Sequence, residues 1–530
     1  MKKLTKLLSL GMSLALCVSM FAGCGQTPAP SSAAAAPETS SVPSSSVDAN
    51  AVDTSKEVKL VMYLLGDPPA DNDKVFEQIN AKLKEKINAT IEPKYMSWGE
   101  YEQKYPLIFA SGENFDLIYS ADWAFYNAQS TKQGYWEITK DALAKYAPLT
   151  ASTIYQEAWD QSLVDGKCFM LPMQYKEITG YVYMARGDLM KKYGVEAINN
   201  RADLEKYLDA LAQSEKGMIP IDVGSDYDAT FMFDRIWGEL TWNNGNNKYE
   251  GVGAWQLMAC VGANDPALNV QMTIDQPEYL QAVQKLKEYK DKGYWSKSAV
   301  VNTTDNRDAF KAGKSGLALT NLNTAKSLYA EVVAAHPEWD VKVFDAQFGT
   351  PPTLNAFWAN GMSIFSKSKN PERALMALDL LRNDEAINDL FCYGIEGVHY
   401  QKTSPHTLKL LDASANYPYD GNCNWGVRND ATWKIVEGGI PNFEEINETW
   451  QKNCKMYKYA FFTFDDSSVK NEIAAINDVF SSNYKLLNLG FADDPAASIA
   501  DMSKKMKAAG ADKVYEAMHT QLQEYVATHP

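Results

Sequence analysis

The stretch Ser111-Gly-Glu-Asn-Phe-Asp-Leu-Ile-Tyr-Ser-Ala-Asp-Trp123 decides the fold. Residues 116–119 are short, apolar and β-favouring, with turn residues on both sides, which is typical of a strand buried inside a parallel sheet. Asp122 and Trp123 follow at the carboxyl end of that strand, the edge at which open α/β sheets bind ligands. A carboxylate beside an indole suits a polyol, because the acid accepts hydroxyl hydrogen bonds and the ring covers a sugar's C–H face. The alternative is a structural tryptophan packed under a loop.

The preceding residues predict alternating strands and helices. Residues 58–65 read as a strand that turns out at Gly66-Asp67, and residues 71–88 as an amphipathic helix. A second strand begins at Thr90, and a helix over residues 98–110 leads to the quoted stretch. This strand–helix–strand–helix–strand order predicts a doubly wound α/β fold, and it brings Asp67 to the same sheet edge as Asp122.

The composition excludes several classes of protein. The chain of 530 residues carries a formal charge of −16, and removal of the first 23 residues, with their three lysines, leaves −19. A strongly acidic chain is a poor partner for nucleic acid, because neutralising phosphates needs a basic face. Five of the seven cysteines lie beyond Cys24, with no C-x-x-C spacing, so neither a disulfide framework nor a zinc site is predicted. Reduced cysteines scattered through the core are expected instead.

The first 56 residues predict export and anchorage. Three lysines precede an apolar run over residues 7–21, which is typical of a signal peptide and too short for a spanning helix. The run ends in Phe21-Ala22-Gly23-Cys24, which resembles the bacterial lipobox with Phe in place of Leu. That resemblance implies cleavage before Cys24 and lipid attachment to its thiol; an ordinary secretory peptide with a chance cysteine is the alternative. Residues 24–56, rich in Ala, Pro, Ser and Thr, predict a flexible tether.

A second α/β unit follows the first. Strands are predicted over residues 179–184, 219–223 and 316–320, and Asn321 follows the last of them. The chain beyond residue 400 is aromatic-rich and then mostly helical. Seven side chains at or near predicted strand ends are the candidate ligand-binding residues: Asp67, Asp122, Trp123, Tyr175, Asn321, Trp358 and Asn360.

The order of these segments resembles the extracellular solute-binding lipoproteins of bacterial sugar ABC importers, in the subgroup with an extra C-terminal domain of unknown function. The resemblance covers nearly all of residues 57–530. The motifs that carry it are Ala110-Ser-Gly-Glu113 with Phe115-Asp-Leu117, Lys145-Tyr-Ala-Pro148, Gly166-Lys167 before Leu171-Pro172, Tyr193-Gly-Val195, Asn370-Pro-Glu-Arg-Ala374 and Tyr393-Gly-Ile-Glu-Gly-Val-His-Tyr400.

The resemblance implies a two-lobed α/β fold of the periplasmic-binding-protein type (type II), with a largely helical C-terminal extension. After a signal peptide (1–23) and a tether (24–56), we expect one lobe from residues 57–177 plus 350–395. The other would comprise 178–349 plus 396–530. Crossings near Glu177, Thr350 and Glu396 would form a hinge.

The implied function is capture of a carbohydrate, a neutral oligosaccharide, between the lobes and its delivery to an ABC permease. The expected protein is a lipid-anchored monomer at the extracytoplasmic face of the cell membrane, with no cofactor, metal or nucleic acid. A surface adhesin or peptide receptor is one alternative. An extracellular glycoside hydrolase is another, although the sequence shows no G-x-S-x-G, H-E-x-x-H or P-loop motif.

Overall fold

The computed structural model describes residues 53–98, 100–224, 226–243, 246–253, 258–419, 423–437 and 439–529. The predicted signal peptide, Cys24 and nearly all of the tether lie outside these residues. Among the helices in the described ranges, none combines the length and the apolar character needed to cross a membrane.

The described strands are β1 (Val58–Leu65), β2 (Ala89–Met96), β3 (Leu117–Ser120), β4 (Leu163–Val164), β5 (Lys167–Cys168), β6 (Met170–Pro172), β7 (Ile178–Thr179), β8 (Tyr181–Ala185), β9 (Trp242–Asn243), β10 (Asn246–Asn247), β11 (Tyr249–Val252), β12 (Ala259–Gly262), β13 (Gln271–Met272), β14 (Leu317–Asn321), β15 (Lys342–Asp345), β16 (Thr353–Leu354), β17 (Gly361–Ile364), β18 (Tyr400–Ser404), β19 (Thr407–Leu410) and β20 (Ile435–Val436). The α-helices are α1 (Asn72–Ile87), α2 (Tyr101–Ala110), α3 (Tyr126–Thr131), α4 (Lys140–Tyr146), α5 (Pro148–Thr153), α6 (Gln156–Gln161), α7 (Gly187–Tyr193), α8 (Arg201–Ser214), α9 (Asp226–Thr241), α10 (Pro277–Asp291), α11 (Asn306–Lys311), α12 (Leu322–Ala335), α13 (Pro371–Asn383), α14 (Glu385–Tyr393), α15 (Phe443–Asn453), α16 (Lys470–Asn488), α17 (Pro495–Ala508) and α18 (Ala511–Thr528).

The first sheet has the strand order β2-β1-β3-β17-β6. Strand β1 pairs in parallel with β2 and with β3, as the doubly wound pattern predicts. The expectation that β3 lies within a parallel sheet is only half right, because its other neighbour, β17, is antiparallel to it. The reason is the direction in which β17 enters the sheet. Strand β17 comes back from the second half of the molecule at the edge where β3 ends, so it must run the opposite way.

Helix α1 illustrates how the local pattern builds this half. Its buried side chains include Val75, Phe76, Ile79, Leu83 and Ile87, the face that the spacing predicts. The helix ends at Asn88, whose φ of 47° is the left-handed conformation common at helix ends.

The second sheet is built around β8. Strands β14 and β15 lie on its two sides and are both antiparallel to it. Tyr183 and Ala185 point into one hydrophobic core, while Val182 and Met184 point into another, as the two-residue period of a strand requires. The strand predicted over residues 219–223 does not form; only Ile219 makes a bridge, to Ser315. Pro220, which has no N–H to donate, accounts for the interruption.

The chain after residue 440 is mostly helical, as predicted. Helices α16, α17 and α18 pack with α9 and α10 in one core of the second sheet. Helix α15 packs on the opposite face of that sheet through Ile446 and Trp450.

Three chain segments pass side by side between the two halves. Strands β7 and β16 are antiparallel, with Thr179 opposite Thr353. Lys455 lies parallel to β16, and its carbonyl accepts a hydrogen bond from the Leu354 N–H at 2.9 Å.

The division of the chain between the lobes stays a prediction, but the position of its last boundary differs from the expected one. Buried residues between Tyr400 and Val436 belong to the first core. Ile440 is the first residue after them in a core of the second sheet. The core changes between Val436 and Ile440 and not near Glu396, because β18, β19 and β20 form a small sheet that covers the first core.

Candidate functional site

Several predicted ligand-binding residues meet at one edge of the first sheet. Because β1, β2 and β3 are parallel, their carboxyl ends point the same way. The chain turns out of β1 at Gly66, whose φ of 100° strongly favours glycine. Trp98 follows β2 by two residues, and its indole lies across Gly66. Trp123 follows β3 by three residues, so two indoles reach the same edge.

Three indoles at this edge form a surface that we call the tryptophan platform (Trp98, Trp123 and Trp425). The Trp98 ring lies between the other two, at centroid distances of 6.2 Å and interplanar angles of 28° and 23°. Trp98 is 51% exposed and Trp123 45%. Stacked indoles with this much open face are suited to covering an apolar surface of a ligand.

The platform is held from beneath by close backbone packing. The Trp123 indole N–H donates to the Ala359 carbonyl at 2.9 Å. Gly426, next to Trp425, lies so close to β3 and β17 that an added Cβ would come within about 3.1 Å of the Tyr119 ring and the Met362 sulfur. The lack of a side chain at Gly426 therefore lets this turn settle on the strand ends and deliver Trp425.

Asp122 adds a carboxylate beside the platform. Its side chain is exposed, and the Trp123 N–H donates to it at 2.8 Å. Water reaches this carboxylate, but many protein atoms lie around it. The resulting desolvation raises the pKa of Asp122 to about 6, and the negative charge of Glu177 adds to the rise.

Glu177 is the centre of a buried polar network at the start of the first crossing segment. Its carboxylate pairs with the Arg428 guanidinium, and both side chains are almost fully buried. It also accepts hydrogen bonds from Asn360 at 2.8 Å and from Asn355 at 3.2 Å. Asn323, in the first turn of α12, donates to it at 3.4 Å. Residues of both halves thus meet on one carboxylate.

The other predicted site residues have different surroundings. Asn360 is buried, and its side-chain oxygen accepts a hydrogen bond from the Tyr119 hydroxyl at 2.5 Å. It therefore supports the network beneath the platform. Tyr175 is half-buried, with its ring near Arg428. Asn321 caps α12 by accepting from the Thr324 N–H. Asp67 is exposed at the turn after β1.

Trp358 requires a correction. It was predicted to face the ligand, but it is only 3% exposed and belongs to the first core, where its ring contacts Tyr126 and Phe461. Burial in the core leaves this ring no open face for stacking. The sequence pattern located the strand end correctly and did not indicate which of its aromatic residues turns inward.

Trp98, Trp425, Glu177 and Arg428 are missing from the set predicted from sequence. Trp98 carried a usable signal, since it follows a parallel strand as Trp123 does. Glu177 and Arg428 did not, because they are 251 positions apart and only the fold pairs them.

The described residues contain no group of three or more His, Cys, Asp or Glu side chains placed to hold a metal ion. None of the five cysteines in the described ranges forms a disulfide bond, and four of them are buried.

Residues 67–387, more than half of the chain, match the family described as bacterial extracellular solute-binding protein. The chain belongs to this family. Residues 458–527 match a domain of unknown function, which covers α16, α17 and nearly all of α18.

One relative and one solved structure match this solute-binding protein over most of its length. A carbohydrate ABC transporter substrate-binding protein of Streptococcus pneumoniae serotype 4 is 24% identical over 495 residues, which cover 90% of this chain and 92% of the relative. The crystal structure of the N-glycan transport solute-binding protein NgtS from Streptococcus pneumoniae superposes with a TM-score of 0.71 at 20% identity, covering 90% of this chain and all of that one. Its complex with Man5GlcNAc gives a TM-score of 0.68 at 21% identity, with the same coverage. The predicted two-lobed fold is thereby confirmed.

Asp122 makes the stability of this fold depend on pH. Its pKa in the folded state, about 6, lies above the ordinary value of 3.8, so the folded protein binds this proton more tightly than the unfolded chain. Stability from this group is therefore greatest below about pH 4 and falls as the pH rises through about 6. We expect Asp122→Asn to raise the melting temperature at pH 7.5 and to have little effect at pH 4. Thermal unfolding at both pH values measures this.

Asp67→Asn, at the same edge and also exposed, is the matched control and should leave the melting temperature nearly unchanged at both pH values. An Asp122→Asn protein less stable than wild type at pH 7.5 would contradict the desolvation argument.

Proposed function

We propose that this protein captures a neutral oligosaccharide in the cleft between its lobes and delivers it, chemically unchanged, to an ABC permease. The observation that carries the proposal is the exposed tryptophan platform beside the Asp122 carboxylate at the carboxyl edge of the first sheet. The indole faces would cover the C–H faces of sugar rings, and the carboxylate would accept hydroxyl hydrogen bonds.

The charges around the platform favour a neutral ligand. Asp67 and Asp122 are both exposed at this edge, and Glu177 lies near Asp122. An anionic ligand would face these carboxylates. A sugar hydroxyl can both donate and accept, so it can satisfy acids and amides without a cost in charge.

The relatives support carbohydrate as the ligand class. One is described as a carbohydrate ABC transporter substrate-binding protein, and NgtS is described as an N-glycan transport protein with Man5GlcNAc bound. We extend the carbohydrate class to this chain, and not the particular glycan. Transport without chemical change agrees with membership of a family of binding proteins.

We further propose that the protein is a monomer held at the extracytoplasmic face of the membrane by lipid on Cys24. The lobes would comprise residues 57–177 with 350–437, and 178–349 with 440–530. This division keeps the predicted hinge and places its last boundary where the buried cores change.

Removing a platform indole should weaken sugar binding without unfolding the protein. We expect Trp98→Ala and Trp123→Ala each to raise the Kd for the tightest-binding sugar about tenfold, equivalent to about 1.4 kcal/mol, because each ring loses its contact with the ligand. The measurement is calorimetry of the full chain, solubilised in detergent. The sugars are manno-, malto-, xylo- and chito-oligosaccharides of two to six units.

Trp358→Ala and Leu486→Ala are the controls. The first removes a buried ring and should cost about 3–5 kcal/mol of stability. The second removes an exposed apolar side chain on α16 and should change neither stability nor binding. Unchanged affinity in both platform variants would contradict the site, and hydrolysis of the sugar would contradict transport.

Lipid attachment can be tested on Cys24 alone. We expect Cys24→Ala to move the protein from the membrane fraction to the medium or periplasm, because it removes the thiol that carries the acyl chains. Cell fractionation and immunoblotting measure the distribution. Cys454→Ala, a change at a thiol of intermediate exposure, is the matched control. A Cys24→Ala protein that stays with the membrane as wild type does would exclude this anchor.

A further inference from the structure

The segment that joins α15 to α16 is held at both of its ends. Near its start, the Lys455 N–H donates to the carbonyl just before β16 at 3.0 Å, and the Lys455 carbonyl accepts from Leu354 at 2.9 Å. At its far end, the backbone of Asp465 and the Gln521 side chain on α18 exchange two hydrogen bonds, of 2.8 Å and 3.0 Å. We call residues 455–465 the aromatic strap.

The aromatic side chains of the strap divide between the two halves of the molecule. Phe461 packs against the first core, and its ring centroid lies 5.7 Å from that of Trp358. Phe462, the next residue, packs against a core of the second sheet, where its ring lies 5.6 Å from that of Tyr525 on α18. Tyr459 is buried in that same core. Neighbouring rings of the strap therefore contact opposite halves.

The strap is attached mainly to the second half. Tyr459, Phe462 and the Gln521 hydrogen bonds all hold it there, and it lies in the proposed lobe that contains residues 440–530. Trp358 lies in the other proposed lobe and belongs to the first core. When the lobes turn about the crossing segments, the strap moves with the second half. The Phe461 ring must then shift against the Trp358 ring, because opposite lobes carry the two rings.

The tryptophan platform is uncovered in the arrangement in which these two rings meet. Trp98 is 51% exposed and Trp123 is 45% exposed, and the side chain of Asp122 is exposed beside them. A ligand held between two lobes is covered from both sides, so this arrangement is the open one. An aromatic pair contributes more than the area that it buries. The contact of Phe461 with Trp358 therefore stabilises the open arrangement.

We propose that Phe461 is a latch through which the C-terminal domain of unknown function holds the lobes open and thereby sets the affinity for the ligand. Phe461 lies within residues 458–527, the part of the chain that matches this domain. The inference rests on the proposed function and on the proposed division into lobes. A ligand that closes the lobes must release the latch, and the free energy of that release is subtracted from the free energy of binding.

The decisive variant is Phe461→Ala. Loss of the ring makes the closed arrangement easier to reach, so the Kd for the tightest-binding sugar should fall about threefold or more. General damage to the fold would weaken binding instead, so a gain in affinity is specific to the latch. Phe461→Leu, which keeps an apolar side chain without the ring, should also gain affinity and should lose less stability. Calorimetry of the full chain in detergent measures the Kd, and thermal unfolding measures the stability.

Phe462→Ala is the matched control. It removes a ring of the same kind from the next position of the strap, but the contact that it removes, with Tyr525, lies within the second half. Tyr459 and the Gln521 hydrogen bonds still hold the strap in this variant. The Kd should therefore stay unchanged, although the melting temperature should fall.

The outcomes separate the latch from the proposed function. If the Phe461 variants bind sugar no more tightly than wild type while Trp98→Ala loses affinity, the latch is excluded and the platform stands. An equal gain in Phe461→Ala and Phe462→Ala would also exclude the latch, because the effect would not depend on the contact with Trp358. If Trp98→Ala binds unchanged, or if wild type binds no member of any series, the proposed function is overturned and the latch with it.

Discussion

The buried carboxylate of Glu177 is the constraint on which the rest of the structure depends. A charge placed out of water is costly unless it is paired and hydrogen-bonded, and Glu177 is both. Arg428 neutralises it from the first half of the molecule, and Asn355 and Asn360 hold it from the returning segment. Because these partners come from distant parts of the sequence, the ionic centre fixes where the first crossing segment begins.

The candidate ligand site lies on one side of this centre. On one side, the parallel strands of the first sheet bring the tryptophan platform and Asp122 to one edge. On the other side, the crossing segments and α9 enclose a cavity of about 130 Å³. From the half that contains the second sheet, Asn323 donates a hydrogen bond to Glu177. Its length of 3.4 Å is the greatest in this network. Glu177 therefore contacts both halves at the start of the first crossing segment.

Local patterns were enough to predict much of this fold. The spacing of Val75, Ile79 and Leu83 predicted α1 and its buried face, and the turn at Gly66 predicted the end of β1. These features depend on neighbouring residues, whose period and capping chemistry are visible in the sequence.

The features of the fold that the sequence did not predict depend on contacts between segments that are far apart along the chain. The antiparallel entry of β17 follows from the path of the chain through the second half. The burial of Trp358 follows from which loops cover its strand end. The last change of core, between Val436 and Ile440, depends on β18, β19 and β20 returning to cover the first core. None of these has a period or a motif to reveal it.

The central claim is that a sugar joins the two lobes by bending the segments around Glu177. Small-angle X-ray scattering on the full chain tests this most directly. The chain is kept in detergent, and the scattering of the detergent is removed by contrast matching. The comparison is between the free protein and the protein saturated with its tightest-binding oligosaccharide. We expect the radius of gyration to fall on binding, since contacts from both lobes favour the closed form. An unchanged radius under saturation demonstrated by calorimetry would contradict closure of the lobes on the ligand.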